Sequence, residues 1–93
     1  NQRFHLTDLK NYLQMKVTIK YFGMIAEAVG KPEEDMTLNP MMDVVNLEKI
    51  LQKSYPRLEK LSYKVAVNKK LSDGNYSLQE RDEIAFLPPF AGG

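Results

Sequence analysis

The 93-residue chain contains no cysteine and only one histidine, and these two shortages exclude several kinds of chemistry. Without thiols the chain can form no disulfide, no thiolate nucleophile and no cysteine metal site, and His5 alone cannot make a histidine cluster for zinc. We therefore expect no metal and no bound cofactor. Any sulfur chemistry in which the chain takes part must use sulfur that another molecule supplies.

Long hydrophobic runs and an excess of charge of one sign are also missing. No apolar stretch approaches the roughly 20 residues that a membrane helix needs, and the opening residues 1–5 do not form a signal peptide. The 13 basic and 12 acidic residues are interspersed, without the basic stripe typical of nucleic-acid-binding proteins. We expect a cytoplasmic protein that binds neither membranes nor nucleic acids.

The length and the 43% hydrophobic content suit one small domain. The first methionine, Met15, begins an alternating run that is typical of a strand. We therefore interpret residues 1–14 as an appendage, either an expression artefact or an upstream extension. Residues 15–93 form the domain, with a protruding tail over residues 88–93.

The first half of the domain predicts two strands that pair as a hairpin with a long connection. A period of two from Val17 to Phe22 indicates a half-buried strand, which Gly23 ends. A helical turn over residues 24–29 is closed by Gly30, and a second strand follows over residues 35–38.

A main helix follows, with Asp43 as its N-cap. Its predicted inward face carries four apolar residues, namely Val44, Leu47, Ile50 and Leu51. Pro56 ends the helix, because proline disfavours the helical conformation of the residue before it.

After a helical turn around residues 58–61, the pattern predicts a strand over residues 63–68 and turns at 69–70, 73–75 and 80–82. The closing strand runs from Glu83 to Leu87. This order predicts an α+β fold in which one sheet wraps over one main helix.

The ending of the chain carries the strongest functional signal, and it consists of Pro88, Pro89, Phe90, Ala91, Gly92 and Gly93. Two prolines stop the strand and extend the chain outward, and an exposed aromatic on such a tail suggests an anchor for a partner's pocket. Two glycines can lie in a narrow channel and leave a terminal carboxylate open to attack. We predict that the main-chain carboxylate of Gly93 is the reactive group.

The segment from Asp82 to Gly93, together with the run Met15 to Phe22, resembles the MoaD family of ubiquitin-like sulfur carriers, the small subunits of molybdopterin synthase. The resemblance spans residues 15–93, and its most specific part is the ending Phe-Leu-Pro-Pro-x-x-Gly-Gly. It implies a β-grasp fold with a mixed sheet.

The resemblance also implies a cycle of activation and transfer. An E1-like enzyme would use ATP to adenylate Gly93, and a sulfurtransferase would supply a persulfide sulfur that displaces AMP and leaves a thiocarboxylate. The tail would then enter the synthase large subunit and donate sulfur to cyclic pyranopterin monophosphate, in a heterotetramer of two small and two large subunits. The chain would be a co-substrate, with the catalytic side chains on the large subunit.

Phe22 and Leu87 match family positions at the partner interface, although an ordinary core role suits each of them equally well. Two residues depart from the family pattern. Phe90 stands where a smaller apolar residue is usual, and Arg81 replaces a glycine. If the turn at Arg81 needs a positive φ, it carries strain of about 1 kcal/mol.

Other functions share these features. A ubiquitin-like modifier joined to lysines through its diglycine would use the same activation, and a thiazole-pathway sulfur carrier shares the diglycine but usually lacks the double proline. A plain interaction module could add its tail as a strand to a partner groove.

Overall fold

The computed structural model describes residues 13–90. Its first strand, β1 (Met15–Tyr21), has alternating apolar and polar side chains. Its side chains Val17, Ile19 and Tyr21 are buried, as the period of two predicts. The helix α1 (Met24–Val29) follows and ends at Gly30, which adopts the left-handed conformation with φ 89°. The strand β2 (Glu33–Leu38) then pairs antiparallel with β1, so the predicted hairpin with a long connection is confirmed. It begins two residues earlier than predicted.

The main helix, α2, spans Val44–Ser54. The carboxylate of Asp43 accepts a hydrogen bond from the backbone N–H of Asn46 at 2.8 Å, which confirms the predicted N-cap. Val44, Leu47 and Leu51 are buried, but the prediction for Ile50 is wrong, since that side chain is 37% exposed. At about 100° per residue, Ile50 lies about 100° away from the centre of the stripe that the other three define.

A 3₁₀ helix (Pro56–Lys60) leads into three further strands: β3 (Lys64–Val67), β4 (Lys70–Leu71) and β5 (Glu83–Leu87). The strand β3 is one residue shorter at each end than predicted. The turn between β3 and β4 lies at Asn68 and Lys69, with φ values of 50° and 73°, rather than at residues 69–70. Two consecutive residues with positive φ form a tight turn between the antiparallel strands β3 and β4. Lys70 is therefore the first residue of β4, a strand that the sequence did not predict.

The sheet has the order β2-β1-β5-β3-β4, with β5 parallel to β1 and antiparallel to β3. The core lies between one face of this sheet and the helices, and it includes Phe86 and Ile84 from β5. This is the ubiquitin-like β-grasp arrangement of a mixed sheet over one main helix, as expected from the resemblance. The last strand therefore lies at the centre of the sheet.

The buried carboxylate of Asp82 holds the loop before β5 in place. The carboxylate of Asp82, which is 5% exposed, accepts hydrogen bonds from the Asn68 amide, the Tyr76 hydroxyl and the Gln79 backbone N–H. Arg81 adopts φ 68°, so this turn does need a positive φ at a position where the related family usually has glycine. The residues that lead into β5 are thereby tied to the body of the domain.

Candidate functional site

The tail leaves the centre of the sheet at the end of β5. Pro88 and Pro89 are half-buried, whereas the side chain of Phe90 is 90% exposed. Phe90 is thus the first side chain of the tail that projects from the body, and its role as an anchor stays a prediction. Ala91, Gly92 and Gly93, including the predicted reactive carboxylate, lie outside the described residues.

Two contacts with the end of β1 position the stem of the tail. The backbone N–H of Phe22 donates to the carbonyl of Phe86 at 3.1 Å, which extends the parallel ladder by one bond. Gly23 adopts φ 57°, and a Cβ built on it would lie 3.0 Å from Cγ of Pro88. A side chain at residue 23 would therefore be strained by its backbone and crowded by the proline ring.

The face of the sheet opposite the core has an apolar half around β5. Leu87, Ala85 and Ala66 point to this face, and Lys64 lies directly opposite Leu87 at its border. Ala66 is only 5% exposed, whereas Leu71, directly opposite Ala66 on β4, is 60% exposed. Phe22, which follows the buried Tyr21 and is 44% exposed, extends this half toward the tail. The two predicted interface residues, Phe22 and Leu87, are thus brought together outside the core. We call the five residues Phe22, Ala66, Leu71, Ala85 and Leu87 the apolar half-face.

The other half of the same face is polar. Lys20 on β1 pairs with Glu83 on β5 at 3.3 Å, and the Thr18 hydroxyl donates to Asp35 at 2.9 Å. Both groups of the ion pair are about one-third exposed, so solvent screens the pair and we assign it little stability. The pair places charged groups along one border of the apolar half-face.

An apolar cleft of about 290 Å³ lies on the core side of the tail stem, and its lining includes Met24, Leu61, Ser62, Pro88, Pro89 and Phe90. Met24, at the start of α1, is 66% exposed. Among residues 13–90, no charged side chain lines this cleft. The stem therefore has apolar surface on both of its sides, the half-face on one and this cleft on the other.

A single carboxylate, that of Glu34, connects several side chains at the same end of the sheet. The Glu34 carboxylate accepts hydrogen bonds from the hydroxyls of Tyr21 at 2.6 Å and Tyr55 at 2.7 Å, and Lys31 lies 3.7 Å away. Burial raises the pKa of Glu34, but the two hydroxyls and Lys31 outweigh burial, and the net pKa is lowered. Burial, and then Glu34, raise the pKa of Tyr21, so its hydroxyl stays protonated. The Tyr21 ring packs against Phe86 at 5.8 Å between centroids.

Residues 13–90 form neither a candidate metal site nor a membrane-spanning helix. Within that range, no group of three or more His, Cys, Asp or Glu side chains is arranged to hold a metal ion. None of the helices described there combines the length and apolarity that a membrane span requires.

The fold and the site together define a class of protein, a β-grasp domain that presents a proline-stiffened tail from its central strand. The family model that matches is that of the ThiS family, over residues 19–93. A molybdopterin synthase sulfur carrier subunit from Mycobacterium tuberculosis is 39% identical over 82 residues, which cover 85% of this chain and 99% of that protein. The chain therefore belongs to the ThiS/MoaD family, as its ending predicted.

Solved structures agree with this assignment. One chain of the complex of subunits 1 and 2 of molybdopterin-converting factor from Helicobacter pylori is 31% identical, with a TM-score of 0.63, and the match covers 85% of this chain and all of that one (100%). Small archaeal modifier protein 1 from Haloferax volcanii shares the fold at a TM-score of 0.72 and 20% identity, covering 81% of this chain and 98% of that one.

Sequence reasoning found the tail and two residues of the half-face but missed Ala66, Leu71 and the cleft at Met24. Ala66 and Leu71 lie together only because β4 pairs with β3, and β4 was not predicted. One signal in the sequence could have revealed the exposure of Met24. This apolar residue directly follows the glycine that ends the strand, and the helical pattern assigns it no position in the core.

Proposed function

We propose that the chain is the sulfur carrier subunit of a molybdopterin synthase. The observation that carries the proposal is the joint occurrence of the Pro88-Pro89 stem and the Gly92-Gly93 ending in a chain 39% identical to a protein named for that role. The body holds the stem, and the residues after it deliver the reacting carbon.

The proposed chemistry takes place at the carboxyl carbon of Gly93. A carboxylate oxygen attacks the α-phosphate of ATP on an E1-like enzyme, and pyrophosphate leaves. The terminal sulfur of a persulfide on a sulfurtransferase then attacks the acyl carbon, and AMP leaves. Cleavage of the resulting acyl disulfide by a thiol releases a thiocarboxylate on Gly93, which donates its sulfur to cyclic pyranopterin monophosphate. Adenylation is required because a free carboxylate is a poor acyl electrophile.

The large subunit of the synthase is the proposed acceptor of the tail. The Helicobacter pylori relative has been solved as a complex of subunits 1 and 2, and this chain presents the apolar half-face next to its own tail. We assign Phe22 and Leu87 to that interface, with Ala66, Leu71 and Ala85 beside them, in an assembly of two small and two large subunits. Exposed apolar surface that is bounded by charge is typical of such docking sites.

Intact-mass spectrometry tests the proposal. Incubation with the activating enzyme, ATP and a sulfur donor should increase the mass by one exchange of oxygen for sulfur, and the change should map to Gly93. A chain that lacks Gly92 and Gly93 serves as the control and should keep its mass. If the full chain stays unchanged in a system that loads a known carrier, the proposal is wrong, and conjugates to lysine in the same reaction would point to a protein modifier instead.

A further inference from the structure

The cleft at Met24 lies within reach of whatever holds the end of the tail. Gly93 follows Phe90 by three positions, and three extended residues span about 10 Å. Under the function proposed above, the large subunit holds Gly93 at its reacting centre. Its surface must then come within about 10 Å of Phe90, which is itself part of the lining of the cleft. A partner that receives the tail therefore comes close to the rim of this cleft.

The chemistry of the cleft selects an apolar occupant. Of the lining residues within the described part of the chain, Ser62 is the one polar residue and none is charged. A volume of about 290 Å³ is roughly twice the 150 Å³ that admits a benzene ring. Phe90 leaves the space open, because its own ring is 90% exposed at the rim. An aromatic or branched aliphatic side chain fits these conditions.

We infer that the cleft between Met24 and Phe90 is a socket for an apolar side chain at the channel entrance of the synthase large subunit. This inference rests on the proposed function. The large subunit would grip the stem from both sides, with the apolar half-face on one side and the socket on the other. Such a two-sided contact fixes the direction in which the tail enters the channel, and burying Met24 and Phe90 supplies affinity.

Met41 offers a matched control for Met24. It is also an exposed methionine, 90% exposed, but it follows β2, whose last residue Leu38 pairs with Met15 at the start of β1. The tail stem adjoins the other end of β1, where Tyr21 pairs with Phe86. At about 3.3 Å per residue, the two ends of this strand lie about 20 Å apart.

Isothermal titration calorimetry with the purified large subunit of the same organism tests the inference. We expect Met24→Ser to weaken binding about tenfold, Met24→Leu to bind within about twofold of the wild type, and Met41→Ser to leave Kd unchanged. Thermal unfolding of each variant checks that the fold is kept. A Met24→Ser chain that binds as tightly as the wild type, or an equal loss from Met41→Ser, overturns the socket and leaves the proposed function standing.

Ser62→Trp separates a socket from a mere apolar patch. Ser62 is exposed at the cleft, so a tryptophan there would occupy the space and add apolar area at once. A socket predicts weaker binding to the large subunit, whereas unchanged or tighter binding overturns it. If the wild-type chain itself does not bind the large subunit, the proposed partner is wrong and the inference fails with it.

Discussion

Glu34 shows how one side chain stabilises the end of the sheet from which the tail departs. Its carboxylate joins a tyrosine of β1, Tyr21, to Tyr55, the residue that follows α2. Lys31 adds a positive charge beside it and lies 5.5 Å from the Tyr55 ring centroid. Hydrogen bonds to an ionised group are stronger than those to a neutral one. The charge of Glu34 therefore matters more than its volume.

Stability should depend on pH through this residue. A carboxyl group whose pKa is lower in the folded chain stabilises the fold above its unfolded value, about 4.5, and that contribution is lost as pH falls through the lower folded-state pKa. We expect Glu34→Gln to lower the free energy of unfolding by about 1 kcal/mol at pH 7 and the difference from wild type to shrink below pH 4.5. Urea unfolding at several pH values measures both effects.

Glu33→Gln is the matched control, because Glu33 precedes Glu34 on the same strand and is exposed. Its unfolding free energy should follow the wild type at every pH. If the loss of unfolding free energy in Glu34→Gln stays constant from pH 7 to strongly acidic solution, the charge of Glu34 does not have the assigned role.

Helix α2 depends on its first turn, where every early N–H has a partner on the chain. Val44 and Val45 donate to the carbonyls of Tyr76 and Gly74, and Asn46 donates to the side chain of Asp43. Gly74 approaches so closely that a Cβ there would clash with Cγ2 of Val45. The loop over residues 73–77 is thereby attached to the helix that covers the sheet.

Removing the cap should weaken this attachment. We expect Asp43→Ala to lower the free energy of unfolding by about 1 kcal/mol, because the N–H of Asn46 loses its acceptor. Asp43→Asn retains a side-chain oxygen and should stay within a few tenths of a kcal/mol of the wild type. Chemical denaturation measures both variants, and equal losses for Ala and Asn would show that the charge of Asp43, rather than its capping hydrogen bond, supports the helix.

The elements that sequence patterns could predict are those whose cause is local. The alternation in β1, the cap at Asp43 and the proline after β5 each act within a few residues, and the structure has all three. The two-residue strand β4 exists only through its pairing with Val67 and Ala66, so no local pattern reveals it. The left-handed turn that precedes β4 could not be predicted from the sequence, because Asn68 is followed by Lys69 instead of the usual glycine.

The candidate site was predictable in composition but not in extent. The tail and its two neighbours Phe22 and Leu87 stand close to the chain ending or on strands with a clear period. The cleft depends on how α1 sits against Leu61 and Ser62, residues that are far from Met24 in sequence. Contacts of this kind follow from the packing of the whole domain.

At the scale of the whole molecule, the position of the acyl carbon relative to the body should control transfer. We expect that one residue added after Gly93 abolishes sulfur loading, because it replaces the proposed carboxylate by an amide and shifts the end by about 3.3 Å. Mass spectrometry of the loading reaction measures the sulfur gained by the extended chain. A chain with a single substitution at Lys53, which is exposed on α2, is the control. Loading of an extended chain that has not been trimmed would contradict a reaction at Gly93.

The apolar half-face also limits the order of events. If an activating enzyme and a synthase large subunit both docked on the apolar half-face, they would have to compete for it. The carrier would have to leave the first before it could meet the second, so each complex must be short-lived on the scale of one catalytic turn. Very tight binding to either protein would then sequester the carrier and slow the overall flux of sulfur.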